Sequence, residues 1–191
     1  VLALVLALGV TSAHAQPGLV GIGEIGLDYY KYNETPRDVQ HAGFVAQLEL
    51  AAELGLPVVI HNRDADADIA RVLDQYAPLI PGGVLHCFAG DEDMVRRAHD
   101  WGFYISFAGN ATYPKAGSLR AAARAVHPER LLVETDAPYL APQRVRGKRC
   151  EPAYVRYTAE KLAEVRGVSA EQLCAETAAN AARLFRVDAH A

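Results

Sequence analysis

Four residues able to hold a metal ion stand at the ends of four apolar runs. Glu24 lies in "GEIGLD", His61 closes "PVVIH", His86 follows "GVL" in "GVLHCF", and Asp136 closes "LLVETD". Imidazoles and carboxylates together suit zinc, magnesium or manganese. Such an ion activates water for hydrolysis. One such residue after an apolar run is ordinary, because ion pairs and hydrogen bonds also place His and Asp there. Four such residues at four run ends point instead to a metal centre.

Other residues add to this mouth or stand apart from it. Arg63 follows His61 by two positions and could reach a phosphate. The run "RVRGKR" places Arg144, Arg146, Lys148 and Arg149 shortly after Asp136. A solvated basic loop is the plain reading of such a run, but it is the one dense positive cluster in the sequence, and phosphate neutralisation needs such a cluster. Tyr139 and Tyr154 flank the loop and could stack on bases or belong to the core or rim. Asp28, four residues after Glu24, could hydrogen-bond a histidine or substrate, or cap the turn before Tyr29. Cys87 adjoins His86, and strand alternation would turn it to the opposite face as packing. His41 and His99 fall on helices, His127 in a turn and His190 at the terminus.

The elements that must position these residues alternate regularly. Strand-like runs occur at 19–25, 57–61, 83–88, 103–108 and 130–135, separated by amphipathic helical patterns. The first helix is expected over 35–54, with Thr35 as N-cap, Pro36 at its first position, Gly55 as stop, and Phe44, Leu48 and Ala51 inward. The second carries Ile69, Val72, Leu73 and Tyr76. The third is capped by Asp91, carries Met94, Val95, Ala98 and Trp101, and stops at Gly102. A weaker helix spans 118–126. Two more close the chain, one from "EPAYV" to Gly167 and one from Ser169, whose Gln172 completes a capping-box pattern. The inward face of the last carries Leu173, Thr177, Asn180 and Leu184. Strands alternating with helices, without hairpin signals, imply an α/β fold with a parallel sheet. A doubly wound sheet and a (β/α)8 barrel both satisfy this. In either, functional residues gather at the C-terminal strand ends.

Composition narrows the class. The chain has 191 residues, 51% hydrophobic and 22% charged, with a formal net charge of −4. That is a globular composition with no global attraction to polyanions. Three widely spaced cysteines, Cys87, Cys150 and Cys174, fit reduced thiols in the cytoplasm. The opening "VLALVLALGVTSAHAQ" reads as a buried strand or as an export signal, and it is too short to span a membrane. The division expected is an uncertain apolar segment over 1–18 and a catalytic domain over 19–191.

The motifs "GEIGLDYY", "LPVVIHNRDA", "GVLHCFAG", "YISFAG", "LLVETDAPYLAP" and "RGKRCEPAYV", in this order over about residues 20–186, resemble those of the TatD-like metal-dependent hydrolases. The resemblance implies a TIM-type barrel with one or two divalent metals that hydrolyses phosphodiester bonds in DNA, acting on single strands or ends. It implies that Glu24 bridges two metals and that His61 and His86 hold the second. Asp136 would bind the first metal and orient or deprotonate water, making Glu24 and Asp136 the catalytic pair. Arg63, Arg144, Arg146, Lys148 and Arg149 would be substrate contacts.

The sequence also departs from that pattern. Family members begin with a strand bearing H-x-H, and this chain has none. A full barrel takes roughly 250 residues, so the barrel is expected to be incomplete at its N-terminus by about two or three βα units. Two exposed sheet edges, one metal at best and weak or absent nuclease activity would follow. Oligomeric state is left open. Three alternatives stand beside this reading: an amidohydrolase-like enzyme for a small ester or amide, a two-His-one-carboxylate iron oxygenase, and an inactive fragment.

Overall fold

The computed structural model describes residues 18–187. The apolar opening run and His190 lie outside the described residues, so both readings of residues 1–15 and the 1–18 boundary go with them. Among the described residues, five parallel strands form one sheet: β1 (Ile22–Asp28), β2 (Val58–Arg63), β3 (Gly83–Leu85), β4 (Tyr104–Phe107) and β5 (Leu131–Val133). They lie in chain order, β1-β2-β3-β4-β5. A doubly wound sheet reverses strand order at its switch point. Here there is no reversal, and the fold is of the TIM-barrel type.

Helices α1 (Arg37–Leu54), α2 (Asp66–Tyr76), α3 (Glu92–Asp100) and α4 (Gly117–Ala125) connect successive strands, and α5 (Val155–Arg166) and α6 (Ala170–Phe185) follow β5. Their limits follow local chemistry. The Asp91 carboxylate accepts from the Asp93 and Met94 amides at the start of α3, satisfying orphan donors. Ser169 does the same for Gln172 at α6, but the Gln172 side chain turns to Glu176, so the reciprocal half of the capping box is not made. Gly55 and Gly167 end α1 and α5 in the left-handed conformation. Thr35 is not the cap of α1. The helix begins at Arg37, Pro36 is the flanking residue without a side-chain cap, and the Thr35 carbonyl is taken by the Gln40 amide. No helix among the described residues is long and apolar enough to cross a membrane.

The two sheet faces have different partners. Val58, Ile60, Leu85, Ile105, Phe107 and Leu131 join the main core with Phe44, Leu48, Ile69, Leu73, Val95 and Leu162 of the surrounding helices. On the other face, Val84, Tyr104 and Leu132 pack with Leu184, joined by Val59, Ala181 and Phe185. Alternation along a strand then repeats on this inner face. Val59 is followed two residues on by His61, Val84 by His86, Tyr104 by Ser106 and Leu132 by Glu134. Helix α6 therefore covers the apolar half of the inner face and leaves the polar half at the C-terminal ends.

β1 breaks the ladder once. Ile22 pairs with Val58 and Ile25 with Ile60, so three steps on β1 oppose two on β2. The extra residue is a β-bulge. It lets Ile22 and Ile25, three positions apart, both point to the helices, and alternation from Ile25 turns Glu24 inward. Gly23 makes room, since a Cβ there would lie 2.6 Å from the Val59 Cβ. Glu24 is thus not at the strand end, as the apolar run suggested, but third of seven residues in β1.

Asn180 anchors α6 to the sheet. It is buried, and its amide donates to the Pro128 and Leu131 carbonyls at 2.7 and 2.9 Å. Asn180→Ala leaves the buried Leu131 carbonyl and the partly buried Pro128 carbonyl short of a donor, and such losses cost about 1–3 kcal/mol. Urea titration should show a destabilisation in that range. A change below about 0.5 kcal/mol, the size of an ordinary surface substitution, would mean that α6 is held by its apolar face alone.

Candidate metal centre

The four expected ligands converge at one mouth, in two overlapping groups. Glu24, His61 and His86 each offer a ligand atom within 4.8 Å of the others, and so do His86, Glu134 and Asp136. His86 is common to both. Glu24 Oε1 lies 2.6 Å from His61 Nδ1 and 2.8 Å from His86 Nε2. Asp136 belongs to the second group, with a partner that the sequence reading passed over.

That partner is Glu134. It stands just past β5, on the inner face with Leu132, and its Oε1 is 3.0 Å from His86 Nδ1. Ser106 and the Cys87 amide also help to hold its carboxyl down. Asp28 plays the matching part for His61, with Oδ2 at 3.3 Å from Nε2 and Oδ1 accepting the Tyr30 amide at 2.9 Å. Asp28 thus contacts a histidine and caps a turn at once. The result is a chain, Glu134–His86–Glu24–His61–Asp28, with a carboxylate behind each imidazole. A carboxylate so placed takes the ring N–H and leaves the other nitrogen's lone pair for a metal. The lone pairs are then those facing Glu24.

The electrostatics also ask for a cation. Burial pulls the His86 imidazolium down, but Glu134 and Glu24 outweigh it and raise its pKa to about 10. The His61 and His86 contacts hold the Glu24 carboxyl well below the usual range. Glu134 is also lowered, its burial overcome by His86. Asp136 is raised, chiefly by burial. Four carboxylates surround two imidazoles, and a divalent ion resolves that excess of negative charge. These residues are positioned to bind one.

Cys87 is not packing on the far face. β3 ends at Leu85, and Cys87 has φ 45°, so strand alternation no longer applies. Its Sγ lies 3.8 Å from Asp136 Oδ2. Burial and the neighbouring Asp136 and Glu134 push its thiol pKa far up, which keeps it protonated and a poor nucleophile.

The five cations expected to meet substrate lie on aromatic rings or in solvent. The Arg63 guanidinium stacks 3.7 Å from the Tyr30 ring centre. Arg146 lies over Tyr113 and Arg144 over Tyr157, while Lys148 and Arg149 are exposed. None of these five cations is in an ion pair among the described residues. Tyr139 is exposed, and Tyr154 packs beside Tyr157.

The sequence matches the TatD related DNase family over residues 6–186. This chain belongs to that family. Among its relatives is an uncharacterized metal-dependent hydrolase, YabD, of Bacillus subtilis, 41% identical over 93% of this chain and 68% of the relative. The 3'-5' ssDNA/RNA exonuclease TatD of Citrobacter rodentium is 41% identical over 91% of this chain and 67% of its own length. The crystal structure of YjjV, a TatD homolog from Escherichia coli, superposes with a TM-score of 0.81 at 30% identity, over 89% of this chain and 65% of that one. This TatD-family chain thus spans about two thirds of the length of the proteins it matches.

Two tests follow from the site. Glu134→Gln keeps the shape but removes the charge behind His86, and loss of such an outer partner typically weakens metal binding about 10- to 100-fold. Equilibrium dialysis with Zn²⁺ or Mn²⁺ reads this directly, and an unchanged affinity would remove Glu134 from the centre. The second test is pH. Without metal, the raised His86 pKa contributes stability that is fully present below 6.5 and is lost as pH climbs through about 10. The lowered Glu24 and Glu134 contribute stability that is present above 4.5 and fades as pH falls. The metal-free chain should therefore melt highest between about pH 5 and 6.5. Metal must displace the His86 proton, so affinity should rise about tenfold per pH unit between pH 6.5 and 10. A flat profile would contradict the pairing of His86 with its two carboxylates.

Proposed function

We propose that this chain is a metal-dependent phosphodiesterase that hydrolyses single-stranded DNA, working from its ends. The observation that carries the reading is the Glu24–His61–His86 group, with a carboxylate behind each imidazole and the unpaired Arg63 two residues after His61. Relatives named as metal-dependent hydrolases and as ssDNA/RNA exonucleases support hydrolysis over oxygenation and a nucleic acid over a small ester.

One divalent ion, Zn²⁺, Mg²⁺ or Mn²⁺, would be held by Glu24, His61 and His86, with Asp136 beside it at the His86–Glu134 side. When bound, it supplies charge neutralisation at the phosphate and lowers the pKa of water. The protein's own groups do the rest. Asp28 and Glu134 fix the imidazole tautomers. Asp136, raised by burial, accepts the proton of the attacking water. The new P–O bond forms as the ester P–O bond breaks, and the leaving nucleoside oxygen takes up the proton that Asp136 accepted. Arg63, Arg144, Arg146, Lys148 and Arg149 hold backbone phosphates. The free thiols Cys87, Cys150 and Cys174 suit a reducing cytoplasm.

The test is an oligonucleotide assay with each metal, run with Glu24→Gln and with the four loop cations reversed to Glu. Glu24→Gln should abolish cleavage of DNA and of bis-p-nitrophenyl phosphate alike. Loop reversal should abolish DNA cleavage only. Loss of both activities on loop reversal would point to a small-ester enzyme whose loop shapes its pocket. Metal binding without any cleavage would mark an inactive scaffold.

A further inference from the structure

Next to the metal centre lies an aromatic and cationic surface of which the catalytic reading uses only Arg63. Tyr32 is 74% exposed, which is unusual for a ring held on an ordered turn. The Tyr30 ring meets it edge-on at 5.3 Å, and Lys31 Nζ stands 4.8 Å from the Tyr32 ring centre. On Tyr30 itself rests the Arg63 guanidinium, at 3.7 Å. Among the described residues that guanidinium has no carboxylate partner and no side-chain hydrogen bond, so its N–H groups face solvent.

The turn that carries these rings is fixed from below. Asn33 donates its amide N–H to the Tyr30 carbonyl at 2.8 Å and its side-chain amide to the Asp28 carbonyl at 3.0 Å. The Tyr29 amide donates to the Arg63 carbonyl at 2.8 Å. Asp28 holds the Tyr30 amide with one carboxylate oxygen and faces His61 with the other. The aromatic turn and the metal ligand are therefore gripped by a single side chain. Whatever lies on Tyr32 is in fixed register with the metal centre.

We propose that Tyr30, Tyr32 and Arg63 form a nucleotide subsite flanking the reaction centre, in which Tyr32 stacks on a base and Arg63 grips the adjoining phosphate. This rests on the phosphodiesterase reading. An exposed ring offers a π-face to any base, so the contact is indifferent to sequence. A guanidinium stacked on Tyr30 has already lost its rotational freedom, and its fork is ready to meet two phosphate oxygens. The subsite would select a single strand, because a paired base presents no free face to Tyr32.

Fluorescence anisotropy with labelled, cleavage-resistant phosphorothioate oligothymidylate and added Mn²⁺ tests this on the full chain. The probes are an unmodified strand and strands with one abasic position at the 3′ end, the 5′ end or the middle. Tyr32→Ala should weaken binding of the unmodified strand about 5- to 100-fold, the range for loss of one stacked base, with the salt dependence unchanged. Arg63→Ala should weaken binding and reduce the salt slope by about 0.7, the value for one phosphate contact on a single strand. One of the abasic strands should lose the same factor against the unchanged protein and lose nothing more against Tyr32→Ala. Thermal melting checks that both variants fold. If the unchanged protein binds the strand and Tyr32→Ala binds it equally well, or Arg63→Ala keeps the full slope, the subsite is wrong and the phosphodiesterase reading stands. If the unchanged protein binds no strand at all, that reading falls first and takes the subsite with it.

Discussion

The structure depends on an alternation of charge. Two imidazoles, His61 and His86, are each held between two carboxylates, with Glu24 shared in the middle. Every link needs a residue from a different strand or strand end: Glu134 after β5, His86 after β3, Glu24 and Asp28 in β1, His61 in β2. A parallel sheet in chain order is what brings these ends to one level. The helices pack on one face, and α6 fills the apolar half of the other. Both ensure that the polar half has nowhere else to lie. A buried ionic chain of this kind is weak evidence of stability in itself, because desolvation offsets much of the attraction. Its retention in a small core is better explained by ion binding than by folding.

The fold was largely legible in the sequence because parallel strands covered on both faces read as continuous apolar runs. The inward faces of α1 and α6 followed from periodicity, and Asp91, Ser169, Gly55 and Gly167 marked helix limits through chemistry that works locally. Thr35 failed as a cap because the helix begins one residue later than expected, at Arg37, which puts Pro36 in the flanking position. Periodicity did not choose between barrel and doubly wound sheet, since strand order is set by long-range pairing; the resemblance of the motifs to the TatD-like hydrolases did.

At the site, residue types were readable but neighbour relations were not. Glu24, His61 and His86 announced themselves by ending or interrupting apolar runs. Glu134 did not, because "VETD" offers two carboxylates and nothing local says which continues the inner face. The parity signal was available, as Leu132 and Glu134 are two apart, but it needed the true end of β5. Cys87 was misplaced for the same reason, since alternation was carried past Leu85, where the strand has already ended. The stacking of Arg63 on Tyr30 joins residues 33 positions apart and depends on the β1–β2 register, in which Asp28 faces Arg63.

The bulge in β1 places this centre under an arithmetic constraint. Counted from Ile22, Glu24 belongs on the helix face; counted from Ile25, it belongs on the inner face, and the surplus residue reconciles the two. Gly23 is small enough to carry that surplus against Val59. Beyond the bulge only parity matters: Glu24 and Asp28 both reach His61 because four positions separate them. A strand with one residue fewer between them would send one of the two carboxylates to the helices. Such a protein would look intact to any inspection of its residues and have lost one side of His61 through counting alone.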